Sequence, residues 1–344
     1  MTTARAATLY GAKDLRLEDR ELAPLAPGFV RVRFAAGGIC GSDMHYFSHG
    51  RIGNFIATSP LVLGHEVAGT VEETGQGVTG VAVGDRVAVN PSRWCGHCPR
   101  CLEGRRNLCE NIYFMGSASK TPHMQGGFAT LFDAIPAQCI PIPDATPFEA
   151  AALSEPLAVC LHAVNRGNVA GRHVAIIGAG PIGLLTLLAA RMKGASETTM
   201  VDLAEAPLDF ATRLGADRVV DLSKDGEGLT KIPAPDVVIE AAGAPPALEG
   251  AIGAVRRGGT VVLLGSLPGG SFPAPVNPIM AKELDVVGSF RFDREFEEAV
   301  RLIAEGNIDV LSIVTARRPL AQVNDAFALA LDRSQSVKVV LTAQ

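Results

Sequence analysis

Apolar residues fall along this chain in two different rhythms. Up to about residue 148 they come in short, β-branched runs interrupted by glycine and proline. Examples are FVRVRF (Phe29 to Phe34), VAGTVEETG (Val67 to Gly75) and DRVAVNP (Asp85 to Pro91). Such runs predict a β-rich domain with long loops. From about residue 170 the texture changes. HVAIIG (His173 to Gly178) reads as a buried strand and PIGLLTLLAARMKG (Pro181 to Gly194) as a helix. TTMVDL then reads as a strand, APLDFATRLG as a helix, and RVVDL, DVVIEAAG and GTVVLLG repeat the strand texture. Apolar strands alternating with helices predict a parallel sheet covered on both faces. Residues 293–306 have the spacing of an amphipathic helix, and VKVVLTA (Val337 to Ala343) reads as a last strand that rejoins the first domain. The expected organisation is therefore interleaved, with residues 1–148 and 285–344 in one domain and 149–284 in the other.

Composition narrows what such a chain can do. Its 344 residues are enough for two domains and 47% are hydrophobic, which supports a substantial core. A net charge of −5 and 5% aromatic residues speak against a nucleic-acid partner. The longest apolar run, Val174 to Ala190, carries glycines and a proline in its middle and reads as strand, turn and buried helix, so no membrane partner is expected. The opening residues, MTTARAATLYGAKDLRLEDR, have no apolar stretch after a basic residue. No secretory signal is expected there, and a cytoplasmic location is. In that compartment clustered cysteines bind metal more readily than they form disulfides.

GAGPIG (Gly178, Ala179, Gly180, Pro181, Ile182, Gly183) is a G-x-G-x-x-G run between an apolar strand and a helix. The glycines allow a tight turn and close approach to a pyrophosphate, and the helix N-terminus offers free N–H groups. Asp202 ends the next strand, where a carboxylate can accept from a ribose diol and repel a 2′-phosphate. The following LAEAP holds no cation. NAD is therefore expected rather than NADP.

Four of the seven cysteines, Cys95, Cys98, Cys101 and Cys109, lie in sixteen residues with the spacing C-x2-C-x2-C-x7-C. Four thiolates suit a closed, structural zinc. An iron–sulfur cluster and disulfides are the competing readings; cluster runs place the fourth cysteine sooner and before a proline. A closed site leaves the chemistry to other residues. GGICGSDMHY (Gly37 to Tyr46), LGHEVAG (Leu63 to Gly69) and ALSEPL carry them: Cys40, His65 and either Glu66 or Glu155 would supply three ligands and leave one position open, as a catalytic zinc requires.

Taken together, GGICGSDMHY, LGHEVAG, the four cysteines, SEPL, GAGPIG and GGTVVLLG resemble the zinc-containing medium-chain dehydrogenase/reductase superfamily over essentially the whole chain. Glu155 stands where the alcohol dehydrogenases of that superfamily carry a cysteine, which is similar to the sorbitol (polyol) branch. The tail, GSFRFDREFEEAVRLI and DRSQSVKVVL, is similar to that of the L-idonate 5-dehydrogenases of the branch. The resemblance implies an α/β fold, with a GroES-like β-rich catalytic domain and a Rossmann doubly wound coenzyme domain. It implies two zinc ions per chain, one catalytic and one structural, with NAD as the coenzyme. The catalytic zinc would be held by Cys40, His65 and Glu66 or Glu155, the second glutamate acting through bound water.

The same resemblance places Ser42 and His45 on a proton path, Tyr46 in the substrate pocket, Arg291 near the nicotinamide end and Gly265 in the coenzyme site. Segments 46–60 and 110–125 are expected to line the pocket. Pro207 replaces an arginine common near the adenosine ribose in polyol dehydrogenases, a departure that further disfavours NADP. The implied reaction is oxidation of a secondary alcohol, L-idonate to 5-keto-D-gluconate, with sorbitol or xylitol as the alternative substrates. Arg291 would bind the carboxylate of a sugar acid. A non-catalytic NAD-binding redox sensor is the reading from another class, and it would have no use for Cys40, His65, Glu66, Ser42 and His45 together. A homo-oligomer, tetramer or dimer, is expected. Cys139, Cys160 and His162 read as core.

Overall fold

The computed structural model describes residues 2–226, 228–267, 269 and 271–344. The chain forms two compact units, residues 1–155 with 296–344, and residues 156–295.

The first unit is organised around a seven-stranded sheet. Its spine, Val30–Gly38, pairs antiparallel with Glu66–Thr74 on one side and with Lys338–Thr342 on the other. Side chains alternate across a strand. Val30, Val32 and Phe34 therefore share one buried cluster with Val67, Val71, Val87, Phe128, Phe327 and Leu341. The last strand of the chain thus lies between Val30–Gly38 and Val314–Pro319, rejoining the first domain. The amphipathic spacing near residue 300 forms the helix Glu295–Ala304, which buries Phe296, Ala299, Val300 and Ile303 along one face.

The second unit holds six parallel strands in the spatial order Arg218–Asp221, Glu197–Asp202, His173–Ile177, Val237–Glu240, Thr260–Leu263, Asp285–Gly288. Counted along the chain this is 3-2-1-4-5-6, the doubly wound order. His173–Ile177 is buried at every position, as an inner parallel strand must be. The apolar run at Val174 is this strand followed by the helix Pro181–Met192. Among the described residues no helix is long and apolar enough to cross a membrane.

The boundaries differ from those expected at residues 149 and 285. Asp285–Gly288 pairs with Thr260–Leu263 and is the sixth strand of the parallel sheet, so the second unit runs on to residue 295. The helix Ser154–Gly167 carries the chain from one unit into the other.

Within the second unit His162 has a polar partner. Its Nδ1 lies 3.0 Å from Glu295 Oε1, which also accepts from Asn165, while Glu295 Oε2 accepts the Asp293 amide. Burial pushes the Glu295 pKa up, but the His162 and Asp293 hydrogen bonds outweigh it and bring the value down to about 2. A folded pKa below the ordinary 4.5 means that the stabilisation is complete above 4.5 and is lost as pH falls toward 2. Glu295→Gln is therefore expected to lower stability at neutral pH by about 1–2 kcal/mol after solvent screening. Urea melts at a series of pH values should show the gap closing on acidification.

Candidate metal and nucleotide sites

The first site forms where the spine strand ends. Gly37 and Gly38 close Val30–Gly38, and the chain turns at Ile39 into the helix Gly41–His49 with Cys40 as its N-cap. Gly38 has to be glycine because a Cβ there would run into Glu66 Oε2. Gly64, at φ +96°, admits no side chain either, since the Phe128 ring fills the space. These two glycines let Glu66 and His65 approach Cys40. Ligand atoms of Cys40, His65 and Glu66 lie within 4.8 Å of one another. Glu155, in the first turn of its helix and 5% exposed, is not one of that group.

Asp43 holds the arrangement together. Its Oδ2 accepts the Cys40 N–H and its Oδ1 the Gly64 N–H, each at 3.1 Å, and Oδ1 stands 3.5 Å from His65 Nδ1. With Nδ1 turned to the carboxylate, Nε2 is the nitrogen left for a metal, the usual second sphere of a histidine ligand. Burial lowers the His65 pKa, yet Asp43 and Cys40 outweigh it and hold the imidazole well above its ordinary value. The pocket favours positive charge, which suits a metal cation.

Lys338 was not singled out in the sequence. It arrives from the last strand and buries its ammonium beside Glu66, donating to Oε1 at 2.8 Å, lying 2.6 Å from Oε2, and donating to the Ile39 carbonyl at 2.9 Å. Both side chains are buried, Lys338 at 3% exposure and Glu66 at 0%. Burial lowers the lysine pKa, but Glu66, Cys40 and Glu155 together raise it, so the ammonium stays charged.

Ser42 and His45 share the face of the helix Gly41–His49, three residues apart. Ser42 Oγ is 3.3 Å from His65 Nε2, and His45 is exposed. Partial burial, then the nearby His49 and Arg333, hold His45 below its ordinary pKa, so it is neutral and able to accept a proton at neutral pH. Tyr46 belongs to the core instead of a pocket surface: it is 2% exposed and its hydroxyl accepts the Ala118 N–H at 2.9 Å. Segments 46–60 and 110–125 meet through this bond and through Thr58 N–H to His123 Nε2 at 3.0 Å.

The four clustered thiols also converge, all sulfurs lying within 4.8 Å of one another. A tetrahedral ion with four sulfur ligands at about 2.3 Å requires sulfurs roughly 3.8 Å apart; Cys95 Sγ and Cys101 Sγ are separated by 4.0 Å. No cysteine is in a disulfide. Backbone N–H groups of Cys95 and Asn111 point at Cys109 Sγ, and that of Cys98 at Cys95 Sγ. The His97 amide brings Cys95 down to about 6, whereas burial pushes Cys101 up to about 12. Four crowded thiols cannot all ionise unaided, and a divalent ion removes that conflict.

In the second unit two glycines of GAGPIG are constrained by their neighbours and the third is left open. Gly178 sits at φ +103° against the Ala242 nitrogen, and a Cβ on Gly183 would strike the Gly178 carbonyl. Gly180 faces open space at the N-terminus of Pro181–Met192, where a phosphate can approach the backbone. Pro181 occupies the first turn, with Ile182 beside it. Asp202 Oδ2 accepts the Ala179 N–H at 2.6 Å, which puts the carboxylate beside the turn. Gly265 donates to the Glu240 carbonyl at 2.8 Å. Arg291 takes a left-handed backbone conformation, φ 53°, with its guanidinium 4.9 Å from the centre of the Phe290 ring.

Two family models match the chain, the alcohol dehydrogenase GroES-like domain over residues 26–144 and the zinc-binding dehydrogenase over residues 181–305. Sorbitol dehydrogenase of Bacillus subtilis (strain 168) is 34% identical over 98% of this chain and 96% of its own length. An Escherichia coli (strain K12) protein named L-idonate 5-dehydrogenase (NAD(P)(+)) is 37% identical over 90% of each. The crystal structure of L-idonate 5-dehydrogenase from Escherichia coli superposes with a TM-score of 0.94 at 34% identity, over 99% of this chain and 98% of that one.

Proposed function

Because the chain belongs to the zinc-binding alcohol dehydrogenases, in the branch that acts on polyols and sugar acids, we propose that it oxidises L-idonate at C5 to 5-keto-D-gluconate with NAD. The carrying observation is the convergence of Cys40, His65 and Glu66 beside the Ser42 hydroxyl. When bound there, zinc supplies a Lewis acid that lowers the pKa of the alcohol hydroxyl. Cys40, His65 and Glu66 are its ligands, and Glu155 stands outside them. Asp43 fixes the His65 ring. Ser42 accepts the hydroxyl proton and passes it to His45, which releases it to solvent; a bound nicotinamide would supply the hydride acceptor. A second zinc is held by Cys95, Cys98, Cys101 and Cys109. The glycine turn with Gly178, Gly180 and Gly183 takes the pyrophosphate and Asp202 the ribose diol; the absence of a cation in LAEAP supports NAD over NADP. The enzyme acts as a homo-oligomer in the cytoplasm.

L-idonate is supported by the full-length likeness to an L-idonate 5-dehydrogenase, and Arg291 is assigned to its carboxylate. A neutral polyol is the second reading, supported by the sorbitol dehydrogenase relative. The test follows NADH absorbance with L-idonate, sorbitol and xylitol side by side, before and after chelation of labile zinc. Turnover on L-idonate alone, abolished by chelation, is the expected result; turnover on the neutral polyols would overturn the substrate. Arg291→Ala should raise KM for the acid by about tenfold or more and for a neutral polyol by less than about twofold. Equal effects on both would remove the residue from substrate recognition.

A further inference from the structure

We propose that Glu240 is a positioning residue for the nicotinamide half of the dinucleotide, an inference that rests on the nucleotide reading above. Glu240 ends the strand Val237–Glu240 in register with Ile177, the residue before the glycine turn. It therefore stands where the strand order reverses, and dinucleotides lie across that crevice. Asp202 marks the adenosine side. The nicotinamide half falls on the opposite side, over the ends of Val237–Glu240 and Thr260–Leu263 and the loops that leave them.

Glu240 ties both loops. Its Oε1 accepts the N–H groups of Ala242 at 2.9 Å and Gly243 at 2.7 Å. Its main-chain carbonyl accepts those of Leu264 at 3.0 Å and Gly265 at 2.8 Å. The residue is 0% exposed, and Oε2 has no hydrogen-bond partner among the described residues. Gly265 is confined by the same junction: a Cβ there would lie 2.7 Å from Oε2 and run into the Gly243 nitrogen. Burial raises the carboxyl pKa, with the amides of Gly243, Ala242 and Ala244 opposing it. A buried acid with one oxygen unserved works against folding. Such a residue fits a binding surface whose shape must be set in advance, so that the cofactor need not order the loops as it binds.

The test compares dissociation constants of NADH and of ADP-ribose, which lacks only the nicotinamide, for the wild type, Glu240→Gln, Glu240→Ala and Gly265→Ala. Glu240→Ala should weaken NADH about tenfold or more and ADP-ribose less than about twofold, because two amides lose a charge-assisted acceptor. Glu240→Gln keeps the Oε1 acceptor and should restore NADH binding to within about threefold of wild type. Gly265→Ala presses on the junction from the other side, should give the same selective loss, and carries the test if the alanine variant at Glu240 does not fold. Equal weakening of both ligands, or of neither, overturns the proposal. A wild-type chain that binds neither ligand overturns the nucleotide reading itself, and this inference with it.

Discussion

Replacing Cys40 by serine should lower kcat/KM by about a thousandfold or more, the several kcal/mol that a Lewis acid contributes to the transition state. Metal analysis should show that the variant loses the ion bound with His65 and Glu66 and keeps the one held by the four clustered cysteines. Stability should change little. Cys40 caps the helix Gly41–His49, and serine is among the best N-cap residues. The substitution therefore separates metal binding from folding. A variant with full metal content and full activity would exclude Cys40 from the site.

The second large effect is on Lys338. Lys338→Met leaves the Glu66 carboxylate buried without its cation, and breaking a buried pair in this way costs about 3–5 kcal/mol. The full loss is expected in metal-free protein. In zinc-loaded protein it should be smaller, because the ion takes up the charge on Glu66. Lys338→Arg keeps a cation and should recover part of the stability. Urea unfolding of chelated and loaded protein makes the comparison. An equal loss in both states would mean that Glu66 does not face the metal.

The motifs that are local in the chain were legible in the sequence. GAGPIG and the four-cysteine run bring their own geometry, because a few residues of backbone are enough to place every group. Cys40, His65 and one glutamate could be proposed as ligands from the sequence, but neither the residues nor the resemblance chose between Glu66 and Glu155. Asp43 was missed, although it lies three residues after Cys40. Its importance depends on reaching Gly64 and His65 across space, and nothing in its spacing states that. Lys338 gave one signal, a lysine inside the apolar run VKVVL. A charge at an inward position of a strand demands a buried partner, but the sequence does not say which. The resemblance put Tyr46 in the pocket; on the helix His45 is exposed while Tyr46, its neighbour, faces inward. The boundary at 285 was misplaced because an edge strand is only partly covered. Asp285–Gly288 exposes most of its residues and lacks the continuous burial that marks the inner strands.

The tie between Lys338 and Glu66 spans 272 residues of chain. On a ribosome adding about 5–20 residues per second, Glu66 emerges roughly 15–50 s before the lysine that neutralises it. The whole second unit is synthesised in that interval, while the first still lacks the strand that flanks its spine. A nascent chain therefore presents Cys40, His65 and Glu66 without the neighbouring ammonium. Neutralisation of the buried Glu66 charge is therefore a late event in biogenesis, reached only when the strand Lys338–Thr342 has been made.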